Sequence, residues 1–319
     1  MKMDEYNFYS QVMDSILDYL PDEYSGYTVS MEQVTKNNDQ VMHGLVIRGE
    51  GATMAPIIYM DGYYRDINSG SNMADVLKDI AGQYLRVMDG KDLFSVPNLD
   101  FDSVKDTLRV RLVNTVSNQE LLRNVISKPV DCGFSLVPFI DIPMGNDTGG
   151  MIQITRKMVD TFGYDEKEIM KAAIAGSILN SEPGLYRIED VLFGGDDKEN
   201  LLQTVKRDDS LDGILVLTYR DSEFGAASLF FPGMQMRISE VIGDRDYYVL
   251  PSSVHELLVL PEAEVHSAEE LGRMVQSVNA GMVAPDERLG DKVLYYRADL
   301  DRLSVAVNLE KDRDRERER

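Results

Sequence analysis

Few residues in this chain are equipped for chemistry: three histidines (His43, His255, His266), one cysteine (Cys132) and some clustered acids. His255-Glu256 is half of a zinc-peptidase motif. That motif needs a second histidine one helical turn on, with the glutamate beside the first as general base; here the position four after His255 is Val259, and Val254–Leu260 has the apolar character of a strand. Asp147-Thr148-Gly149-Gly150 has the letters of an aspartic-protease loop. It lacks the apolar strand before it and the second copy that would share a proton, so turn chemistry accounts for it. Ser252-Ser253 lies beside His255 without a Gly-x-Ser-x-Gly elbow. Cys132 is a small residue suited to burial; a nucleophilic role would require a base brought near it by the fold. Asp196-Asp197, Asp208-Asp209 and Asp212 have no calcium-loop spacing, and no phosphate-binding glycine loop occurs. The sequence therefore assigns no catalytic residue, no cofactor and no metal. Whether Cys132 or His255 serves beyond structure stays open.

Composition narrows the partners. The 319 residues carry 55 Asp+Glu against 33 Lys+Arg, a net charge of −22. Such a field opposes phosphate backbones and anionic membranes. Basic residues are scattered: Arg109 and Arg111 alternate along one strand, and Lys206-Arg207 meets Asp208-Asp209 at once. No nucleic-acid partner is expected. A single cysteine excludes an intramolecular disulfide framework. No apolar run approaches the roughly 18–20 residues of a membrane span, and the acidic start Met1–Glu5 is unlike a signal peptide. The expected place is the cytoplasm, with no membrane partner.

Periodicity supplies the elements. Tyr9, Val12, Met13, Ile16, Leu17 and Leu20 make a helical stripe ended by Pro21. Strands are expected near Tyr27–Lys36 and Val41–Arg48, joined by the turn-forming Asn37–Gln40, and near Ala55–Met60. A second helix spans Met73–Met88. Beyond Pro97 the pattern predicts strands near Leu108–Asn114, Gly133–Ile142, Met151–Thr155, Leu185–Val191, Gly213–Tyr219, Ala227–Phe231, Tyr247–Leu250, Val254–Leu260, Val293–Arg297 and Leu303–Val307. Helices are expected after the capping boxes Ser117-x-x-Glu120 and Ser267-x-x-Glu270, over Glu166–Asn180, and from Pro232 to Ile242. The tyrosine pairs Tyr63-Tyr64, Tyr247-Tyr248 and Tyr295-Tyr296 read as strand pairs with one ring in the core and one outside. The fold class is α+β, mostly antiparallel sheets with packed helices. A small unit of helix, three strands and helix (1–97) precedes a larger α+β domain (98–309), and the mixed-charge tail 310–319 reads as a solvated end.

Ordered phrases carry a family resemblance. They are Gln33–Asn38 with Val41–Ile47, Pro56–Met60 before Tyr63-Tyr64, Tyr248–Glu256, Met274–Asn279 and Val283–Leu289. Together they resemble an uncharacterised domain-of-unknown-function family, DUF5688, across nearly the whole chain apart from the tail. The resemblance implies a bacterial protein of gut anaerobes of the clostridial type, often in mobile-element settings, and carries over no catalytic residue. The expectation is a soluble, cytoplasmic, non-catalytic accessory or interaction protein whose partner is another protein, in an oligomeric state the sequence leaves open. The alternatives are an enzyme, hydrolase-like, with a site assembled from distant residues, and an acidic mimic of nucleic acid.

Overall fold

The computed structural model describes residues 3–52, 55–88, 100–142, 150–194, 198–203, 211–251 and 253–308. The chain divides into two units: residues 1–36, 40–100 and 142–151 form the first, and 37–39, 101–141 and 152–319 the second. The architecture is mixed α+β with antiparallel sheets.

In the first unit, α1 (Glu5–Ser15) starts at Asp4, whose carboxylate accepts the Asn7 N–H, and continues as a 3-10 turn over Ile16–Tyr19. Strands β1 (Thr28–Thr35) and β2 (Val41–Arg48) pair in one register from Thr28↔Arg48 to Thr35↔Val41, and β3 (Ile57–Tyr59) adds to β2. Helices α2 (Asp61–Asn68) and α3 (Met73–Met88) follow. Phe8, Val12 and Ile16 meet Leu45, Ile47 and Ile58 from the sheet and Ile80 and Tyr84 from α3 in one core. The expected stripe holds: Tyr9, Val12, Ile16 and Leu20 are buried, Met13 and Leu17 pack at the margin, and Phe8 joins the core as well. Helix α2 lies where the sequence pattern predicts no helix. Tyr63-Tyr64 lies on it, so the reading of that pair as a strand is corrected. The Tyr63 hydroxyl donates to Gln83 Oε1 (2.8 Å) and the Tyr64 hydroxyl to the Met3 carbonyl (3.1 Å).

The second unit comprises, in chain order, α4 (Phe101–Val104), β4 (Leu108–Asn114), α5 (Gln119–Asn124), β5 (Lys128–Val130), β6 (Phe134–Ile142), β7 (Gly150–Gln153), α6 (Arg156–Phe162), α7 (Glu166–Ser181), β8 (Pro183–Arg187), α8 (Ile188–Phe193), β9 (Leu215–Tyr219), α9 (Met234–Val241), β10 (Tyr247–Leu250), β11 (Glu256–Pro261), α10 (Ala268–Gly281), β12 (Lys292–Arg297) and β13 (Arg302–Asn308). One sheet runs β4-β6-β5 with β7 beside β6; the other runs β13-β12-β10-β11-β9-β8. Helix α10 covers the six-stranded sheet through Leu271 and Val275 against Leu250, Leu260 and Val293. As expected from Ser267-x-x-Glu270, the Ser267 hydroxyl accepts the Glu270 N–H.

Three expectations need correction here. Ser117 lies in a 3-10 turn ahead of α5 and provides no cap; the Asp39 carboxylate instead accepts the Glu120 and Leu121 N–H groups, each at 3.0 Å. Ala227–Phe231 is no strand: Gly225–Phe230 winds as a 3-10 helix. Residues 225–229 are all buried, and Gly225, whose Cβ would meet the Thr218 and Tyr219 backbone, packs against the end of β9. Beyond β8 the chain turns into α8, so Leu185–Val191 is strand only at its start. Tyr247 and Tyr296 stack in the core (4.9 Å between ring centres) while Tyr248 and Tyr295 pair on the opposite face (4.7 Å), as the two-residue period requires.

Helix α7 approaches β4 closely because residue 176 is glycine: a Cβ there would lie 2.2 Å from the Leu108 carbonyl oxygen. Beside it, buried Ser177 Oγ accepts the Val110 N–H at 2.9 Å. In an open helix Gly→Ala stabilises by about 0.5–1 kcal/mol. Gly176→Ala should instead destabilise by about 1–3 kcal/mol, the cost of overpacking, as measured by urea unfolding; a gain in stability would show that the helix does not sit at this distance.

Candidate functional site

The six-residue stretch after β9 concentrates the unusual chemistry of the second unit. Ser222 and Phe224 both hold φ of 59°, a conformation costly for residues with a Cβ. Gly225 follows where a side chain would collide with the Thr218 and Tyr219 backbone. Arg109 reaches this turn from β4. Its guanidinium, 5% exposed, donates to Asp141 (2.8 Å), pairs with Asp221 (3.0 Å) and donates to the Glu223 carbonyl (3.2 Å). The Phe139 and Tyr219 rings flank it. Burial works against the charge, but Asp141 and Asp221 outweigh it and hold the group above its ordinary value.

His255 grips the same turn from the other side. It occupies the bend before β11, not the strand expected for Val254–Leu260. Its Nδ1 accepts the Phe224 N–H at 3.2 Å, and the Phe224 ring packs on the imidazole. The acceptor role at Nδ1 places the proton of the neutral ring on Nε2, 3.6 Å from Glu287 Oε1. Ser253 Oγ accepts the His255 backbone N–H at 3.1 Å; the hydroxyl thus serves the chain and is not aimed at the ring. His255, Ser253 and Glu287 meet in space, yet in an order that braces a loop and not in that of a nucleophilic triad. Glu256 belongs to β11, paired opposite Thr218. The role of Arg109 and the strained turn are not legible in the sequence; the only visible sign is the alternation of Arg109 and Arg111 along a mainly apolar strand.

Cys132 also has a positive φ (63°) and lies in the turn between β5 and β6. Burial pushes its thiol up to about 11, Asp131 adds to the rise, and Lys292 opposes it. The Lys292 ammonium donates to the Cys132 carbonyl (3.1 Å) and lies over the Phe134 ring. His43 packs on the Tyr9 ring, with its backbone N–H donating to Asp61. Among the described residues, no group of three His, Cys, Asp or Glu side chains could hold a metal ion, and no helix is long and apolar enough to cross a membrane. Asp147–Gly149, Asp196-Asp197, Lys206–Asp209, Ser252 and the tail lie outside the described residues.

A cleft of about 460 Å³ lies at the β8 edge of the six-stranded sheet, lined among the described residues by Glu182, Tyr186, Lys198, Asn200, Gln203 and Arg220. The Asn200 amide faces the strand: its oxygen accepts the Leu185 N–H and its nitrogen donates to the Pro183 carbonyl.

An α+β chain with two antiparallel-sheet systems in its larger unit, a braced loop and a polar edge cleft is the class that these features define. Residues 6–298 match the model of a family of unknown function, DUF5688, and the chain belongs to that family. No curated protein and no solved structure matches it.

Two outcomes follow from this geometry. His255→Ala should leave the metal content unchanged and cost about 1–3 kcal/mol, since the Phe224 N–H loses its acceptor; stoichiometric zinc in the wild type that vanishes in the variant would contradict the bracing role. Cys132 should react with iodoacetamide at pH 8 roughly 100-fold more slowly than in the urea-unfolded chain, because so little thiolate is present, and should speed up as pH rises toward 11. Equal rates in the folded and unfolded protein would refute this.

Proposed function

We propose that the protein is a non-catalytic accessory protein that acts by binding another protein, in the cytoplasm of gut bacteria of the clostridial type and in mobile-element settings. The setting rests on the family phrases. The binding role rests on one observation: Leu192 and Phe193, consecutive at the end of α8, are 64% and 85% exposed. Burying a large apolar side chain is worth about 1.5–3 kcal/mol, and an aromatic beside an aliphatic in the open is what the centre of a protein interface uses. Single exposed apolar residues are ordinary; Ile178-Leu179 on α7 is a second exposed pair, and Leu192-Phe193 differs from it in carrying an aromatic ring and in being more exposed at its first residue.

The groups that could favour an enzyme are engaged elsewhere: His255 and Ser253 hold backbone, and Arg109 is enclosed by carboxylates. The mimic reading would need carboxylates aligned on one surface. Many acids instead sit in local pairs, among them Arg156–Glu166, Arg187–Glu199, Arg245–Asp212 and Arg297–Asp299, which favours dispersed charge and no nucleic-acid or membrane partner.

The test is affinity capture from the native host with wild type, Phe193→Ser and Leu192→Ser. A protein held by wild type and reduced at least tenfold in Phe193→Ser, with an unchanged melting temperature, is the expected result. Equal capture by both forms would remove the basis of this reading.

A further inference from the structure

We infer that the cleft at the β8 edge is a binding site for a small hydroxylated organic anion, one carrying a phosphate or carboxylate group. This goes beyond the protein-binding reading and does not depend on it. Among the described residues of the lining, Lys198 and Arg220 supply two cations, against one carboxylate, that of Glu182. Glu182 is already answered within the cleft: Arg220 Nη1 donates to its Oε2 at 3.2 Å. That contact uses one edge of the guanidinium, and a planar fork with five donors can serve a second acceptor as well. Among the described residues Lys198 forms no ion pair, so one cation of the described lining has no carboxylate of that lining against it, in a protein of net charge −22.

The remaining lining fits the non-ionic portion of such a ligand. The Asn200 amide is turned to backbone, its oxygen also accepting the Leu202 N–H at 3.1 Å; it lines the cleft. Gln203 and the Tyr186 hydroxyl are left as neutral donors and acceptors for hydroxyl groups. Tyr186 is held over Gly184, where any side chain would meet the ring within 2.2–2.5 Å, so its position is preset. Burial raises its pKa above the ordinary tyrosine value, Glu182 adding to the rise, so the hydroxyl stays protonated and able to donate. A volume of about 460 Å³ suits a ligand of metabolite size. The long-range field opposes anions, so affinity must come from short-range, charge-assisted hydrogen bonds. Binding should therefore select on geometry and not follow net charge alone.

The experiment is a thermal-shift and calorimetric titration of the full chain with sodium phosphate, ribose 5-phosphate and citrate, each against sodium chloride at matched ionic strength. The expected result is a saturable rise in melting temperature with at least one of them. Preference for ribose 5-phosphate over phosphate would identify a phosphate ester with hydroxyls, and preference for citrate a carboxylate. Lys198→Ala should weaken the apparent Kd at least tenfold, and Arg220→Gln likewise, while Arg302→Gln on β13 should leave it unchanged. Because Arg220 is exposed, its variant keeps the test valid if Lys198→Ala folds poorly. No saturable shift up to about 20 mM, or the same Kd in wild type and both cleft variants, would overturn the inference.

Discussion

Of the two arginines buried on β4, Arg109 is the one whose guanidinium ties together the two sheets of the larger unit. Arg109 stands on β4 of one sheet and reaches the turn that leaves β9 of the other, so the two sheets share a charge that neither could hold alone. A lone buried cation costs several kcal/mol in lost hydration, and carboxylate partners repay that cost only when the geometry is good. Here Asp141 comes from the strand beside β4, while Asp221 and the Glu223 carbonyl come from the turn. Both carboxylates remain partly in water, which limits their own desolvation. The arrangement favours one position of the turn over others, because any shift would leave the cation short of acceptors.

That demand explains the strain around it. Two residues with positive φ and a glycine without room for a Cβ give a backbone that would not adopt this path unaided. Arg109 holds the carbonyl of Glu223 and His255 holds the N–H of the next residue, so a single peptide unit is fixed at both ends. The histidine that attracts notice in the sequence is thus a hydrogen-bond acceptor serving the loop. Lys292 on the Cys132 carbonyl repeats the pattern on a smaller scale, a buried cation on a carbonyl in a left-handed turn.

Edges receive the same care. A free strand invites pairing with another chain. At β8 the Asn200 amide copies the donor and acceptor of a neighbouring strand, and Arg187 is matched by Glu199. The consequence is a sheet edge that no longer offers a full ladder but keeps a polar concavity beside it. At the centre of the sheet, the paired tyrosines of β10 and β12 use both faces. Tyr295 donates toward Asp246 and Glu262 on the wet side, and burial with these two carboxylates holds its hydroxyl well above the usual tyrosine range.

What the sequence by itself determined is local or repetitive. The α3 stripe, the β1–β2 hairpin, β4, β10 and the alternating tyrosines follow from periods of 3.6 and 2, which any segment reveals without knowledge of its neighbours. The lack of a zinc-peptidase motif around His255 was equally legible, because such a motif is itself local. The tertiary structure decided the rest, since it depends on residues far apart in the chain. Asp39 replaces Ser117 as the cap of α5 across about eighty positions. Helices α2 and α6 span only about two turns each, and α2 buries none of its residues, so neither presents the long apolar run that marks α3. Residues 225–229 are all buried, so their apolar run has no period by which the sequence could separate a buried helical turn from a buried strand such as β9. Arg109 finds Asp221, and His255 finds Phe224, only when two sheets are already in place, because a charge or a lone pair specifies what it needs but not which distant residue will supply it.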